Sequence, residues 1–184
     1  MFNRNDIARQ FNINLAMNNE IANAIELWSN MYKNNPPWKD DETKTIGLPG
    51  AIANELARLV TIEFKSEIKN NDILNKEYQK VINNLRVCTE YACAKGGIVF
   101  KPYLNNNHID IDFIQQDNFF PVDYNSNGDI TSAIFIEIKV IGDKKYTRLE
   151  YHSLKGNEYI IRNNAYVKEN VDNINNSLGK PISL

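Results

Sequence analysis

The chain has 184 residues, 42% of them hydrophobic and 24% charged, with a formal net charge of -2. That length can bury a real core and suits one compact domain or a piece of something larger. The composition excludes a chain disordered throughout or a collagen-like repeat, and its slightly acidic balance argues against a dedicated nucleic-acid binder, which would carry a basic stripe. No apolar run approaches the ~18 residues of a membrane span. Met1-Phe2-Asn3-Arg4-Asn5-Asp6 lacks the apolar stretch of a signal peptide, so the protein is expected to stay in the cytosol. The 29 asparagines are read as AT-rich codon usage.

Residues 1 to 17 are mixed and read as an N-terminal arm ending in Ile13-Asn14-Leu15-Ala16-Met17. Ile21, Ala24, Ile25, Trp28, Met31 and Tyr32 then recur at helical spacing and predict a helix over 18–33. Asn35-Pro36-Pro37-Trp38 stops it, since proline cannot continue the hydrogen-bond ladder. Pro49 suits the first turn of a second helix, over 49–62, with Ile52, Leu56, Leu59, Val60 and Phe64 as its apolar stripe. Phe64 to Ile68 alternates apolar and charged, as a short strand does. Asn70-Asn71-Asp72 offers a cap for a third helix, whose inner side carries Ile73, Leu74, Tyr78, Val81, Ile82, Leu85 and Ala92. Gly96-Gly97 ends it. Trp28 and Phe64 are expected to pack these helices onto a sheet.

Beyond Gly97 the apolar period changes from about 3.6 to 2. Strands are expected at Ile98-Val99-Phe100, at Ile109 to Phe113, at Phe119 to Tyr124, at Ile130 to Val140, at Lys145 to Ser153 and at Tyr159 to Val167. The turns fall at Asn105-Asn106-Asn107, Asn127-Gly128, Gly142-Asp143 and Gly156-Asn157. Asp172 to Ser177 is polar and loop-like. Helices over 18–95 followed by an antiparallel meander over 97–170 mean an α+β fold. The arm thus leads into one α+β domain, residues 18–184.

The candidate chemistry is sparse. Cys88 and Cys93 sit five apart on a predicted helix, roughly 140° apart in direction, so both are read as free thiols. Asp123-Tyr124-Asn125-Ser126-Asn127-Gly128-Asp129-Ile130 follows the first eight positions of a calcium loop, but Ile134 occupies the place of its bidentate glutamate. A plain hairpin is the expectation there. Asp110 and Asp112 share one strand face, with Asp117 five residues on; such carboxylates can hold Mg²⁺ for nuclease chemistry, or simply form a solvated strand face. His108 and His152 lack the converging partners a metal requires. Ala94-Lys95-Gly96-Gly97 is not a phosphate loop, because it follows a helix instead of leading into one. Lys65, Lys69, Lys76, Lys80, Arg86 and Lys95 form a loose basic ridge that Glu63, Glu67, Glu77 and Glu90 dilute. No catalytic residue, cofactor-binding residue or metal ligand is assigned. A metal-dependent nuclease using Asp110, Asp112 and Asp117, and a small calcium-binding module at Asp123 to Asp129, stand as alternatives.

One resemblance covers residues 20 to 180. Glu90-Tyr91-Ala92-Cys93-Ala94-Lys95-Gly96-Gly97-Ile98-Val99-Phe100-Lys101-Pro102-Tyr103 resembles the helix-to-strand junction of tailed-bacteriophage portal proteins, the minor capsid protein type of phages of low-GC hosts. Asp110 to Ile114, Asp117-Asn118-Phe119-Phe120-Pro121, Gly128-Asp129-Ile130 and Ala133-Ile134-Phe135 follow in the same order. Lys144 to His152 is similar to that family's Lys-Tyr-Tyr-Thr-x-Leu-Glu-x-His stretch, and Tyr159, Asn164-Ala165-Tyr166 and Leu178-Gly179 come after it. Upstream, Trp28, Tyr32, Pro36-Pro37-Trp38 and the Leu56 to Val60 helix also match.

The resemblance implies a structural, non-enzymatic subunit of a ring, usually of twelve copies, at one capsid vertex. Through that ring double-stranded DNA is packaged and ejected without sequence specificity. It implies the N-terminal, wing-like portion of such a subunit, with stem, clip and crown expected beyond Leu184, as in a truncated gene product or prophage remnant. Implied partners are other portal subunits and the major capsid and scaffolding proteins. Terminase and head-completion proteins would meet the regions beyond Leu184. The implied location is the virion, after assembly in the bacterial cytoplasm, with no membrane and no cofactor.

Overall fold

The computed structural model describes residues 3–106, 108–169 and 177–183. Among these residues it is an α+β fold in which four helices precede antiparallel sheets, as the change of period predicts. Two compact units result: Met1–Ala22 with Asn118–Leu184, and Asn23–Asp117.

The first unit is built on a five-stranded sheet in the order β3-β4-β5-β6-β7. Its strands are β3 (Phe119–Tyr124), β4 (Ile130–Ile141), β5 (Lys144–Lys155), β6 (Glu158–Glu169) and β7 (Lys180–Ile182). The two-residue loops Gly142-Asp143 and Gly156-Asn157 have positive φ at their first position only, 61° and 62°, the geometry of type II′ turns with glycine leading. Strict alternation on β5 buries Thr147, Leu149, Tyr151 and Ser153. Helix α1 (Arg4–Phe11) lies within the expected arm, capped by the Asn3 side chain. Ile7 and Phe11 join Phe120, Val122, Ile134, Ile136, Leu149, Tyr151, Tyr166 and Leu178 in one core. The Tyr166 hydroxyl donates to Gln10 Oε1 at 2.5 Å, and the Arg162 guanidinium lies 4.7 Å from the Tyr151 ring centre. Gly179 has φ +97°, and a Cβ there would stand 2.3 Å from the Val167 carbonyl oxygen. No other residue fits that position without moving β6.

The second unit holds most of α2 (Asn19–Tyr32), with α3 (Leu48–Thr61), α4 (Asp72–Lys95) and the hairpin β1 (Ile98–Asn105)–β2 (His108–Gln115). Asn71 caps α4 by accepting from the Leu74 N–H at 2.9 Å, and Gly96 at φ 85° ends it. Two residues separate the strands of the β1–β2 hairpin; Asn106 has φ 46°, and Asn107 lies outside the described residues. Asp172 to Asn176 of the expected polar loop lie outside them too.

Several expectations are corrected. Residues 64–68 form no strand, because side chains of α4 take their backbone groups: the Ile68 N–H donates to Asn75 Oδ1 and Gln79 donates to the Ser66 carbonyl. The meander is two sheets. Among the described residues β1 and β2 pair only with each other, and they lie against α4, where Lys95 Nζ reaches Gln115 Oε1 at 2.5 Å. The buried stripe of α2 is Ala22, Ile25 and Ser29, one step round from the predicted face. Ile73 of α4 is exposed, while Glu77, Val81, Cys88 and Lys95 are buried. Trp28 and Phe64 are both exposed. Trp28 lies against the end of α4, where a Cβ on Gly96 would meet its ring at 3.0 Å.

Candidate interaction surface

Helix α3 presents the opposite of the usual amphipathic arrangement. Its sequence, LPGAIANELARLVT, carries small and large apolar residues on opposite sides. The small side is inside: Ala53 is 4% and Ala57 0% exposed. The large side is outside, with Leu48 at 53%, Ile52 at 51% and Leu59 at 57% exposed, while Val60, on the alanine side of the helix, is exposed at its C-terminal end. Ile46, Leu56, Ile62 and Phe64 extend the exposed apolar surface. The two alanines permit close approach to α4, so α3 is docked by backbone proximity instead of by its large side chains.

Polar links complete the docking. The Tyr32 hydroxyl donates to Glu90 Oε1 at 2.8 Å, and Asn54 Nδ2 donates to Glu90 Oε2 at 2.7 Å. Arg86 donates in turn to Asn54 Oδ1 at 3.3 Å. One carboxylate on α4 therefore holds both α2 and α3. Burial, reinforced by Glu90, pushes the Tyr32 phenol up to about 12.

Two grooves flank α3. Trp28, Met31, Tyr32, Ile52, Leu56 and Cys93 line one of about 130 Å³. The other, about 380 Å³, has Ile62, Phe64, Ile82 and Leu85 along it and Arg58 and Arg86 at its rim. In the first unit, Ile138, Val140 and Ile141 on β4 and Leu154, Tyr159, Ile160 and Ile161 on β5 and β6 are also exposed. Monomeric proteins seldom leave contiguous apolar area of this kind uncovered.

The residues weighed for catalysis stand apart. Asp110 bonds Lys80 at 3.3 Å and Asn105 at 2.8 Å, which hold its carboxyl below the usual range, Asn105 most of all. Asp112 lies 3.6 Å from Lys101 Nζ. Asp117 bonds the buried Lys95 at 2.8 Å and accepts from Ser29 at 3.4 Å. Three lysines thus hold three carboxylates. Among the described residues no group of His, Cys, Asp and Glu could hold a metal ion. In the loop at Asp123 to Asp129, Asn125 Oδ1 accepts from the Asn127 and Asp129 N–H groups at 2.9 Å each. The oxygen expected at a calcium position serves the hairpin. Cys88 is buried, Cys93 exposed, and both are free; burial raises the Cys88 thiol. Lys80 is tied to Glu77 and Asp110, and Lys95 is buried, so two members of the basic ridge are occupied by carboxylates. His108 is exposed, 3.8 Å from Glu77.

A polar cluster on β4, β5 and β6 escaped the sequence reading. His152 is held at Nδ1 by the Tyr159 hydroxyl and at Nε2 by Glu150. Arg148 bridges Glu137 at 2.6 Å and Glu150 at 3.1 Å. The signal was the two-residue spacing of Arg148, Glu150 and His152, which places them on one strand face.

Comparison with protein-family models, curated proteins and solved structures finds no match to this chain. No helix among the described residues is long and apolar enough to cross a membrane.

Proposed function

We propose that the chain is a structural assembly subunit, the wing portion of a phage portal ring, and that it acts by contact with neighbouring subunits and the capsid shell instead of by catalysis. The observation that carries this reading is the outward apolar side of α3, a surface that costs solubility in a lone chain and gains free energy once covered. The residues that carry the family resemblance support it. Glu90 to Tyr103 runs from the last turns of α4 through Gly96-Gly97 into β1, and Lys144 to His152 lies on one strand, β5.

In this role double-stranded DNA passes without being gripped. A net charge of -2 suits a ring component that must not neutralise many phosphates, since counterion release would bind the strand tightly. Other portal subunits and the major capsid and scaffolding proteins are the partners the reading implies for this portion, at the portal vertex of a virion, with terminase and head-completion proteins meeting the other regions of such a subunit. Electron microscopy of the purified chain tests it. Closed rings of many copies are expected; single chains or pairs alone at every concentration overturn it.

A further inference from the structure

The outward side of α3 has a definite spacing. Leu48, Ile52, Glu55, Leu59 and Ile62 follow one another by four, three, four and three residues. At about 100° per residue they fall within roughly 80° of one another, on the side away from Ala53 and Ala57. Such spacing is the seam along which one helix packs on another nearly parallel to it.

The seam also reads alike from both ends. Glu55 and Arg58 are the only charged residues of α3, and they lie at its middle. They bond each other through Arg58 Nε at 2.8 Å and Nη2 at 2.6 Å, and both side chains remain well exposed, at 53% and 39%. Leu48 and Ile52 lie on one side of this pair and Leu59 and Ile62 on the other. A surface that pairs with its own copy about a two-fold axis must be complementary to itself, and this one is.

We propose that α3 pairs antiparallel with the α3 of a second copy of this chain. With the axis over Glu55, Leu48 meets Ile62 of the second copy and Ile52 meets its Leu59. Each Glu55 carboxylate then lies between its own Arg58 and that of the second copy, so four alternating charges close the middle of an apolar seam. The contact closes at two copies. It rests on the proposed assembly role and takes the five seam residues only, so the cyclic contacts of a ring fall to the exposed apolar residues beside the seam, Ile46, Leu56 and Phe64 among them.

Charge exchange tests the pairing on the full chain by sedimentation and native mass spectrometry. The wild type is expected in assemblies of an even number of chains, with the pair as the smallest unit on dilution. Glu55→Arg and Arg58→Glu each place four like charges at the crossing point, and each alone is expected to pair about tenfold more weakly or worse. Mixing the two variants sets arginines against glutamates, and a mixed pair containing one chain of each is expected. Leu59→Ser, at an exposed position, tests the same face independently and should lose the pair while melting as the dissociated wild type does. A wild type that stays single at every concentration, variants that pair as it does, or a mixture that yields no mixed pair would each overturn the proposal. Pairs without rings would remove only the portal reading, and rings without charge exchange only this one.

Discussion

The Tyr32 hydroxyl donates to Glu90 Oε1 at 2.8 Å, and this bond joins α2 to α4 while the other oxygen of the same carboxylate holds Asn54 of α3. Glu90 thus ties both α2 and α3 to α4, with the Arg86–Asn54 bond as a second link to α3. Because burial and Glu90 push the Tyr32 phenol up to about 12 from an ordinary value of 10.0, the folded state favours the neutral phenol. The resulting stability is fully present below pH about 10 and is lost as pH rises toward about 12. Burial also raises the Tyr159 and Tyr166 phenols, so absorbance titration of tyrosinate should show several late-ionising tyrosines, and one of them should ionise earlier in Glu90→Gln. Identical titrations would show that the bond does not matter in solution.

Lys95 is buried with Asp117 at 2.8 Å and Gln115 at 2.5 Å. Removing one partner leaves the other charge buried, so Lys95→Ala should cost about 3–5 kcal/mol in denaturant unfolding. Replacing both, as Lys95→Met with Asp117→Leu, should recover most of that loss, because buried pairs seldom outperform apolar substitutes. A single variant as stable as the wild type would contradict the assignment.

Leu149 and Leu59 are both leucines on regular elements, with opposite surroundings. Leu149 is fully buried in the sheet core and Leu59 exposed on α3. Leu149→Ala should cost about 2–5 kcal/mol, and Leu59→Ala should lie within about 0.5 kcal/mol of the wild type when measured on dissociated chains. Equal losses would mean that α3 faces inward.

Gly179→Ala places a Cβ on the Val167 carbonyl, at 2.3 Å, in a backbone with φ +97°. Strain of this kind costs about 1–3 kcal/mol. Thermal unfolding should show a clear drop for Gly179→Ala and almost none for a change at exposed Lys155.

Much of the fold was legible because local chemistry marks it. Asn71 and Gly96 bracket α4, and the two-residue glycine turns set the β4–β5–β6 register. The direction of α3 was not legible. Periodicity shows that Ile52, Leu56 and Leu59 share a side, and a lone chain normally turns that side inward; only Ala53 and Ala57, small enough for close helix packing, hinted otherwise. Helix α1 was missed because eight residues give two turns of pattern, Ile7 and Phe11, with Asn3 as a cap. The break between β2 and β3 has no glycine or proline to announce it, since the 3-10 turn at Gln116–Asn118 uses residues that strands also accept. The candidate surface was therefore found in the structure, while the acidic residues that attracted attention in the sequence proved to be held by Lys80, Lys95 and Lys101.

The proposed assembly role turns on the outward side of α3. The most direct measurement compares sedimentation of the wild type with that of the double variant Ile52→Asp, Leu59→Asp over a wide concentration range. The wild type should sediment as more than one chain and the double variant as a single folded chain with an unchanged circular dichroism spectrum. A wild type that sediments as one chain throughout, or a double variant that associates equally well, would contradict the account.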